Sequence, residues 1–352
     1  MFVTGIGTAT PAHRYSKAQC WEAFTSSEWF KRLEPRSHAL AEIVLRRENG
    51  IEFRHLALSS LHEVFAIDPD TLSQRFFNHA PRLAAQAASS ALAHARLHAG
   101  QIDAVVVSTC TGYLCPGLSG HVIEQLGLGA EVQAFDLVGQ GCAAALPNLG
   151  LAEALLASGQ CSHVLSVCVE ICSAAMYLDD DPGVLISACL FGDGAGAAVL
   201  SRQPAQHQRR MEWRHSRSMI DTAQRKALYF EQRQGMLRNV LTRQVPRLAA
   251  GHAHQLLQSV LASAAVAQGE VQNWIMHAGG RDVLLALQNE FGTAPEDFRY
   301  SAAVLREYGN LSSASVYFVL QAAVDDDAEG GWWWISSFGA GFSCHGALLA
   351  VA

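Results

Sequence analysis

Two short segments of this 352-residue chain surround a cysteine and an asparagine with small residues that leave room for a ligand. Cys142 follows Gly139-Gln140-Gly141 and opens an Ala- and Leu-rich segment that is predicted to be a helix. The free N–H groups and positive dipole at a helix start stabilise a thiolate, which is the nucleophilic form of cysteine. Asn310 follows Gly309 in a turn before an apolar helix, where its amide could donate to a developing oxyanion.

A thiolate nucleophile needs a partner that manages protons and charge. An imidazolium at His277 and the helix dipole would both lower the pKa of the Cys142 thiol. His277 ends a predicted strand just before Gly279 and Gly280, where the backbone is open to a ligand. Each residue also has an ordinary structural alternative: a packed cysteine, a core histidine and a helix cap. Taken together, the three predict an enzyme that holds an acyl group on Cys142 and stabilises negative charge with His277 and Asn310.

A helix followed by a strand is predicted twice along the chain, and the second of these strands ends at His277. A predicted helix at Arg82–His98 precedes a predicted strand at Ile102–Cys110, and a helix at His254–Val266 precedes a strand at Val271–His277. Both strands are largely apolar, as in a sheet that is covered on both faces. The repeat predicts an α/β protein.

The two halves also end alike, with a Gly-rich turn that leads into an apolar strand, at residues 190–200 and 337–349. We expect an internal duplication with an N-terminal half at 1–200, which carries the cysteine, and a C-terminal half at 201–352, which carries the histidine and the asparagine. Residues 202–225 are polar and predict a surface connection. Residues 12–78 predict an irregular, aromatic-rich covering segment.

Composition excludes several classes of protein. Hydrophobic residues make up 50% of the chain, charged residues 16%, and the formal net charge is -7, which favours a large buried core and disfavours nucleic-acid binding. No apolar run approaches the ~20 residues of a membrane span, and the start does not resemble a secretory signal, so we expect a cytoplasmic protein.

Nine cysteines, an odd number, do not resemble a disulfide framework. Neither Cys110 with Cys115 nor Cys168 with Cys172 has a second pair at zinc spacing, and Asp179-Asp180-Asp181 is interpreted as a solvated loop. We therefore expect no metal site.

Several motifs together resemble the type III polyketide synthases, the chalcone-synthase-like branch of the thiolase superfamily, and above all its bacterial members. The similar motifs occur in order along nearly the whole chain: residues 5–11, Gln140-Gly141-Cys142, Val169-Glu170-Ile171, residues 190–195, His277-Ala278-Gly279-Gly280, residues 308–313 and residues 338–341.

This resemblance implies a thiolase-like duplicated five-layered αβαβα sandwich, a homodimer and no cofactor. It also implies iterative condensation of malonyl-CoA with an acyl-CoA starter, or with malonyl-CoA itself, on Cys142, followed by cyclisation to a pyrone, a resorcinol or a related polyketide. Asp193 is expected to be structural. The implied substrate-binding residues are Cys110, Phe191, Gly279, Gly280, Ser312 and Gly339.

Some positions depart from the family pattern. Gln234 stands where plant members carry a second gatekeeping Phe, and Ala340 replaces a usual Pro. Arg46, Arg47 and Arg54 match the basic cluster for coenzyme A phosphates only in part. Two alternatives remain: a ketoacyl-ACP synthase III-type enzyme that makes a single condensation, and an inactive synthase paralogue that acts as a partner subunit. The His277-Ala-Gly-Gly motif favours the polyketide branch, because the ketoacyl synthases usually have Gln-Ala-Asn there.

Overall fold

The computed structural model describes all 352 residues, in which strands and helices alternate in an α/β order. The strands are Phe2–Ala9 (β1), Arg14–Ser16 (β2), Phe53–His55 (β3), Ala104–Ser108 (β4), Gln133–Leu137 (β5), His163–Glu170 (β6), Gly194–Ser201 (β7), Met211–Ile220 (β8), Leu228–Arg233 (β9), Met236–Leu241 (β10), Val271–Met276 (β11), Gly331–Gly339 (β12) and Ser343–Val351 (β13). The helices are Lys17–Ser26 (α1), Glu28–Arg32 (α2), Pro35–Arg46 (α3), Pro69–Ala95 (α4), Leu118–Leu126 (α5), Ala145–Ala157 (α6), Pro182–Leu190 (α7), Val245–Ala264 (α8), Arg281–Phe291 (α9), Arg299–Tyr308 (α10) and Ser315–Asp325 (α11).

Nine strands form one sheet in the order β11-β12-β13-β8-β1-β7-β6-β4-β5. Its two sides repeat one pattern: β4 and β6 run parallel, as do β11 and β12, and two antiparallel pairs follow on each side. A single residue pair, Phe2 with Glu212, joins the two sides. This symmetry supports the duplication at about residue 200, which stays a prediction.

The helices cover and separate the two sides of the sheet. Helices α4 and α5 pack on the outer face of the first side. Helix α8 packs on the outer face of the second side, and α9 packs against α8. Helices α6 and α11 lie between, because each contacts strands of both sides. The layers therefore follow the order αβαβα, and the predicted five-layered fold is confirmed.

Small residues let the outer helix α4 approach the sheet closely. A side chain on Gly5 or Gly7 of β1 would clash with backbone carbonyls of α4, at Ala91 and Ala87. The Ala-rich face of α4 is almost fully buried there. This close contact fixes the sheet whose strands lead to the candidate site.

Two predictions of irregular structure are wrong. Residues 12–78 form three helices and two short paired strands, and α4 begins at Pro69, earlier than predicted, because packing on the sheet extends it through the buried Pro81. Residues 202–225 contain β8, which pairs with β13. Most residues of β8 after Trp213 are polar and exposed, so the strand lacks the alternation of apolar and polar residues that predicts a sheet. No helix is both long and apolar enough to cross a bilayer.

Candidate active site

The candidate nucleophile lies on a tight turn between β5 and α6. Cys142 is in the 3-10 turn Gly141–Ala143, and α6 begins at Ala145, slightly later than predicted. Gly141 has a φ of 55°, which favours glycine. Gly339 packs so closely on this turn that a Cβ there would lie 2.6 Å from the Ala143 nitrogen. Gly339 therefore positions the nucleophile turn, and its predicted contact with substrate stays a prediction.

Ser312 connects the cysteine with the asparagine. Its hydroxyl lies 3.2 Å from the Cys142 Sγ and can donate to it, while its backbone N–H donates to the Asn310 Oδ1 at 2.8 Å. The Asn310 Nδ2 donates to the Gly279 carbonyl at 3.0 Å. Since an amide nitrogen has two N–H groups, one remains available to a ligand. These bonds fix the amide plane beside the cysteine.

Phe191, which directly follows α7, is held against the segment that contains Asn310. The Asn310 N–H donates to the Leu190 carbonyl and the Gly192 N–H to the Asn310 carbonyl, each at 3.0 Å. This pairing places the Phe191 side chain next to Cys142, with which it shares a small apolar cluster that also contains Cys172. The structure thus brings Phe191 to Cys142, and its predicted contact with substrate stays a prediction.

His277 follows β11 and is 1% exposed. Its ring packs against Phe338 with centroids 4.9 Å apart, and a Cβ on Gly279 would lie 3.2 Å from its Nε2. Its Nδ1 is buried without a hydrogen-bond partner. Burial lowers the pKa of His277 to about 3, so the imidazole is neutral at physiological pH. Gly280, at the start of α9, has open space beside it.

Cys142 and His277 are not hydrogen-bonded to each other. Burial raises the pKa of the Cys142 thiol to about 12, and the hydrogen bond from Ser312 opposes this only in part. The prediction that an imidazolium and a helix dipole lower this pKa is therefore wrong for the unliganded site. The resting pair is a neutral thiol and a neutral imidazole.

A buried carboxyl group, Glu170 at the end of β6, was not predicted as part of the site. Its oxygens accept from the Cys110 N–H at 3.1 Å, from the Thr111 hydroxyl at 2.9 Å and from the Ser313 hydroxyl. Both the Cys110 thiol and the Ser312 hydroxyl lie 3.3 Å from its Oε1. Burial raises the pKa of Glu170, and the hydrogen bonds from Ser313, Cys110 and Thr111 oppose the rise. An acidic residue that ends an otherwise apolar strand is the sequence signal.

We call the space beside Cys142 the reaction cavity. Thr111, Cys172, Phe191 and Ser312 line it on the side of the nucleophile, and Phe230 and Asn239 of the β9–β10 hairpin line it on the other. Gln234, which stands where plant members carry a second gatekeeping Phe, does not line this cavity. Gln234 is exposed at the tip of that hairpin with a φ of 54°.

Charged residues near the site have structural roles. The buried Asp193 accepts from the Ala57 N–H at 2.6 Å and from both the N–H and the hydroxyl of Ser173, which supports a structural role. Arg54 is 7% exposed and donates to the carbonyls of Ala188 and Phe191, so it is not free to bind a coenzyme A phosphate. No cluster of His, Cys, Asp and Glu is arranged to hold a metal ion.

Comparison with known proteins identifies the family. Residues 25–268 match the model of the FAE1/type III polyketide synthase-like proteins, and residues 222–351 match the C-terminal domain of the chalcone and stilbene synthases. A 3,5-dihydroxyphenylacetyl-CoA synthase of Streptomyces toyocaensis is 26% identical over 90% of this chain and 80% of its own. A 1,3,6,8-tetrahydroxynaphthalene synthase of Streptomyces peucetius subsp. caesius is 29% identical over 91% of this chain and 84% of its own.

Solved structures share the fold. PKS-I from the brown alga Ectocarpus siliculosus superposes with a TM-score of 0.90 at 23% identity, over 99% of this chain and 98% of that one. The 1,3,6,8-tetrahydroxynaphthalene synthase of Streptomyces coelicolor A3(2) superposes with a TM-score of 0.88 at 23% identity, over 99% of each chain. The chain belongs to the type III polyketide synthases, a family of acyltransferase-type condensing enzymes that act on coenzyme A thioesters.

Proposed function

We propose that the protein condenses malonyl-CoA repeatedly with an acyl group on Cys142 and then cyclises the chain to a pyrone, a resorcinol or a related polyketide. The observation that carries this proposal is the chain of contacts that runs from the Cys142 Sγ through Ser312 and Asn310 to Gly279, next to His277. These contacts support a grouping of a candidate nucleophile with two candidate oxyanion donors, the arrangement that decarboxylative condensation needs.

The first step loads the starter. The Cys142 sulfur attacks the thioester carbonyl of the acyl-CoA, and the neutral His277 accepts the thiol proton as the S–C bond forms. The coenzyme A thiolate leaves and takes this proton from His277. The imidazole of His277 is neutral before the reaction and its Nδ1 has no hydrogen-bond partner, so the ring has a nitrogen free to accept the proton.

The second step extends the chain. The carbon–carbon bond of malonyl-CoA to its carboxylate breaks, CO2 leaves, and the electron pair becomes an enolate. The enolate oxygen accepts from the His277 Nε2–H and from the Asn310 N–H that Gly279 does not use, a contribution of ~3–4 kcal/mol per donor. The enolate carbon then attacks the acyl carbonyl, and the Cys142 thiolate leaves, ready to accept the lengthened chain.

Product analysis tests this function. Purified protein is given malonyl-CoA with a panel of acyl-CoA starters, and the products are identified by mass spectrometry beside those of Cys142→Ala. We expect cyclised products of several condensations that disappear in the variant, and loss of most malonyl decarboxylation in His277→Ala and Asn310→Ala. A single condensation that requires carrier-bound malonate would favour the ketoacyl synthase alternative. The absence of product from every thioester would favour the inactive paralogue.

We further propose that the protein is a cytoplasmic homodimer. Strand β5 is the last strand of the ladder and has no partner on its outer edge. Three exposed apolar side chains, Phe77 (51% exposed), Tyr113 (77%) and Val138 (69%), are carried by elements close to this edge in the fold. A second copy of the chain would cover both the open edge of β5 and these apolar side chains. The nine free cysteines are typical of a reducing compartment.

A further inference from the structure

The turn between β12 and β13 lies against the turn that carries Cys142. We call it the β12–β13 turn, and it consists of residues 340–342. A Cβ on Gly141 would lie 3.2 Å from both the Cβ and the nitrogen of Ala340, so the two turns are in close contact. The Ala340 carbonyl accepts from the Ser343 hydroxyl at 3.0 Å. A shift of the β12–β13 turn would therefore move a direct support of the nucleophile.

The same turn supports the candidate histidine. Phe342, its last residue, is fully buried and stacks on Phe338 with ring centroids 6.5 Å apart. The Phe338 ring packs in turn on the ring of His277, with centroids 4.9 Å apart. The β12–β13 turn thus contacts the nucleophile turn directly and His277 through one aromatic ring.

Asp221, directly after β8, connects the β12–β13 turn to helix α8. Its N–H donates to the Phe342 carbonyl at 2.9 Å, and its carbonyl accepts from the Phe342 N–H at 3.1 Å. Its carboxylate Oδ2 lies 3.1 Å from the Nε2 of His252 on α8, and the His252 Nδ1 lies 2.8 Å from the Leu248 carbonyl. Because both partners are acceptors, a protonated ring donates to both. The His252 ring also packs beside the Phe342 ring, with centroids 5.6 Å apart.

We propose that His252 and Asp221 form a positioning pair that fixes the β12–β13 turn, and with it the relative position of Cys142 and His277. This role rests on the proposed function, since it concerns the same site, and the pair touches no reacting atom. Helix α8 packs on the outer face of the sheet, so the pair ties the turn to a well-packed element. A misplacement of ~1 Å between reacting groups can cost about 100-fold in rate. Loss of the pair should therefore lower kcat and leave KM almost unchanged.

A second histidine on α8 provides a matched control. His254 is half-buried like His252, but it packs on Phe291 and its Nδ1 has no hydrogen-bond partner. The variants His252→Leu and His254→Leu remove the same group from the same helix, and only the first releases Asp221. We expect kcat for product formation to fall about tenfold in His252→Leu, with KM for malonyl-CoA changed less than about twofold, and neither to change in His254→Leu. Thermal unfolding checks that both variants are folded at the assay temperature.

Two further variants separate the hydrogen bond from the packing of the ring. In His252→Gln the side-chain amide can still donate to Asp221, so we expect kcat to return to within about threefold of the wild type. Asp221→Ser keeps the backbone bonds to Phe342 and an acceptor for the Ala223 N–H, but it is too short to reach His252. It should show the same loss as His252→Leu, and it replaces that variant if His252→Leu does not fold.

The results that would overturn the positioning pair are specific. They are an unchanged kcat in His252→Leu and Asp221→Ser, an equal loss in His252→Leu and His254→Leu, or a His252→Gln variant as slow as His252→Leu. Each of these would leave the proposed function intact, because the wild type would still form products that depend on malonyl-CoA. A wild type that forms no product from any thioester would instead contradict the proposed function, and this pairing role with it.

Discussion

Ser312 controls the protonation of the nucleophile at the scale of single residues. Its hydroxyl is the one side-chain donor within hydrogen-bond distance of the Cys142 Sγ, and this bond lowers a pKa that burial raises to about 12. The backbone of Ser312 has a φ of 51°, a conformation uncommon for serine. The hydrogen bond from its N–H to Asn310 helps to hold this conformation.

Removal of this hydroxyl should make Cys142 less reactive. In Ser312→Ala, the thiolate loses its donor, the pKa of Cys142 rises further, and alkylation by iodoacetamide at pH 8 should slow about tenfold, as expected for a hydrogen bond to a charged group. Peptide mass spectrometry measures the rate at Cys142. The control is Ser315→Ala, since the buried Ser315 hydroxyl has no partner. Equal rates in the wild type and Ser312→Ala would contradict this role.

The buried His277 should make the folded protein less stable in acid. Its pKa is 6.5 in the unfolded chain and about 3 in the folded one, so between these values only the unfolded chain binds the proton. The free energy of unfolding should therefore fall as pH falls from 6.5, by up to ~1.4 kcal/mol per pH unit for this one group. The pKa of His345 is likewise lowered, to about 4, so His345 also contributes to the loss of stability in acid.

The variant His277→Gln isolates this contribution, because glutamine does not titrate. Urea unfolding of both proteins at pH 7 and at pH 5 gives the change in the free energy of unfolding for each. We expect a smaller loss in the variant, by about 2 kcal/mol between these pH values. The same loss in both proteins would mean that His277 is protonated in the folded state.

The sequence predicts the candidate site residues but not their charge states. Cys142, His277 and Asn310 are recognisable because glycines or small residues flank each of them. Glu170 lies 60 positions from Cys110 and 142 from Ser312, so its place at the end of an apolar strand marks the residue but does not indicate which side chains it contacts. The neutral state of Cys142 and His277 likewise follows from burial by distant segments.

The outer helix α4 and strand β1 form the tightest contact between elements near the site. In Gly7→Ala the added methyl group would clash with the backbone of α4, so we expect a loss of about 3 kcal/mol in the free energy of unfolding. Gly100→Ala is the control, because no atom lies within 4 Å of the added Cβ. Thermal unfolding measures both. A Gly7→Ala variant as stable as the control would show that α4 can move away from the sheet without cost.

Whether a helix or strand can be predicted from the sequence depends on how its side chains are buried. The apolar strands β4 and β11 and the turns that follow them were predicted within a few residues, because both faces of each strand are covered. Strand β8 was missed, since pairing with β13 holds it although most of its outer residues are polar. The N-terminal helices were missed because their hydrophobic residues pack on α7 and on one another in small separate clusters.

At the scale of the whole molecule, the free edge of β5 predicts that the nine-stranded sheet continues into a second copy. Val138→Arg places a charge beside that edge and should yield monomers in sedimentation velocity runs over a wide concentration range. Ile220→Arg is the control, since Ile220 is similarly exposed, at 61%, at the end of β8 on the other side of the sheet. A wild-type protein that is monomeric throughout would contradict the dimer.

The central claim is that Cys142 carries the acyl chain, and mass spectrometry of the protein itself tests it most directly. The protein is mixed with an acyl-CoA, quenched in acid and digested, and the cysteine peptides are weighed before and after a chase with malonyl-CoA. We predict a starter adduct on the Cys142 peptide that the chase replaces with longer adducts and free product. An adduct on Cys110 or Cys172 alone, or turnover without any adduct on Cys142, would contradict the account.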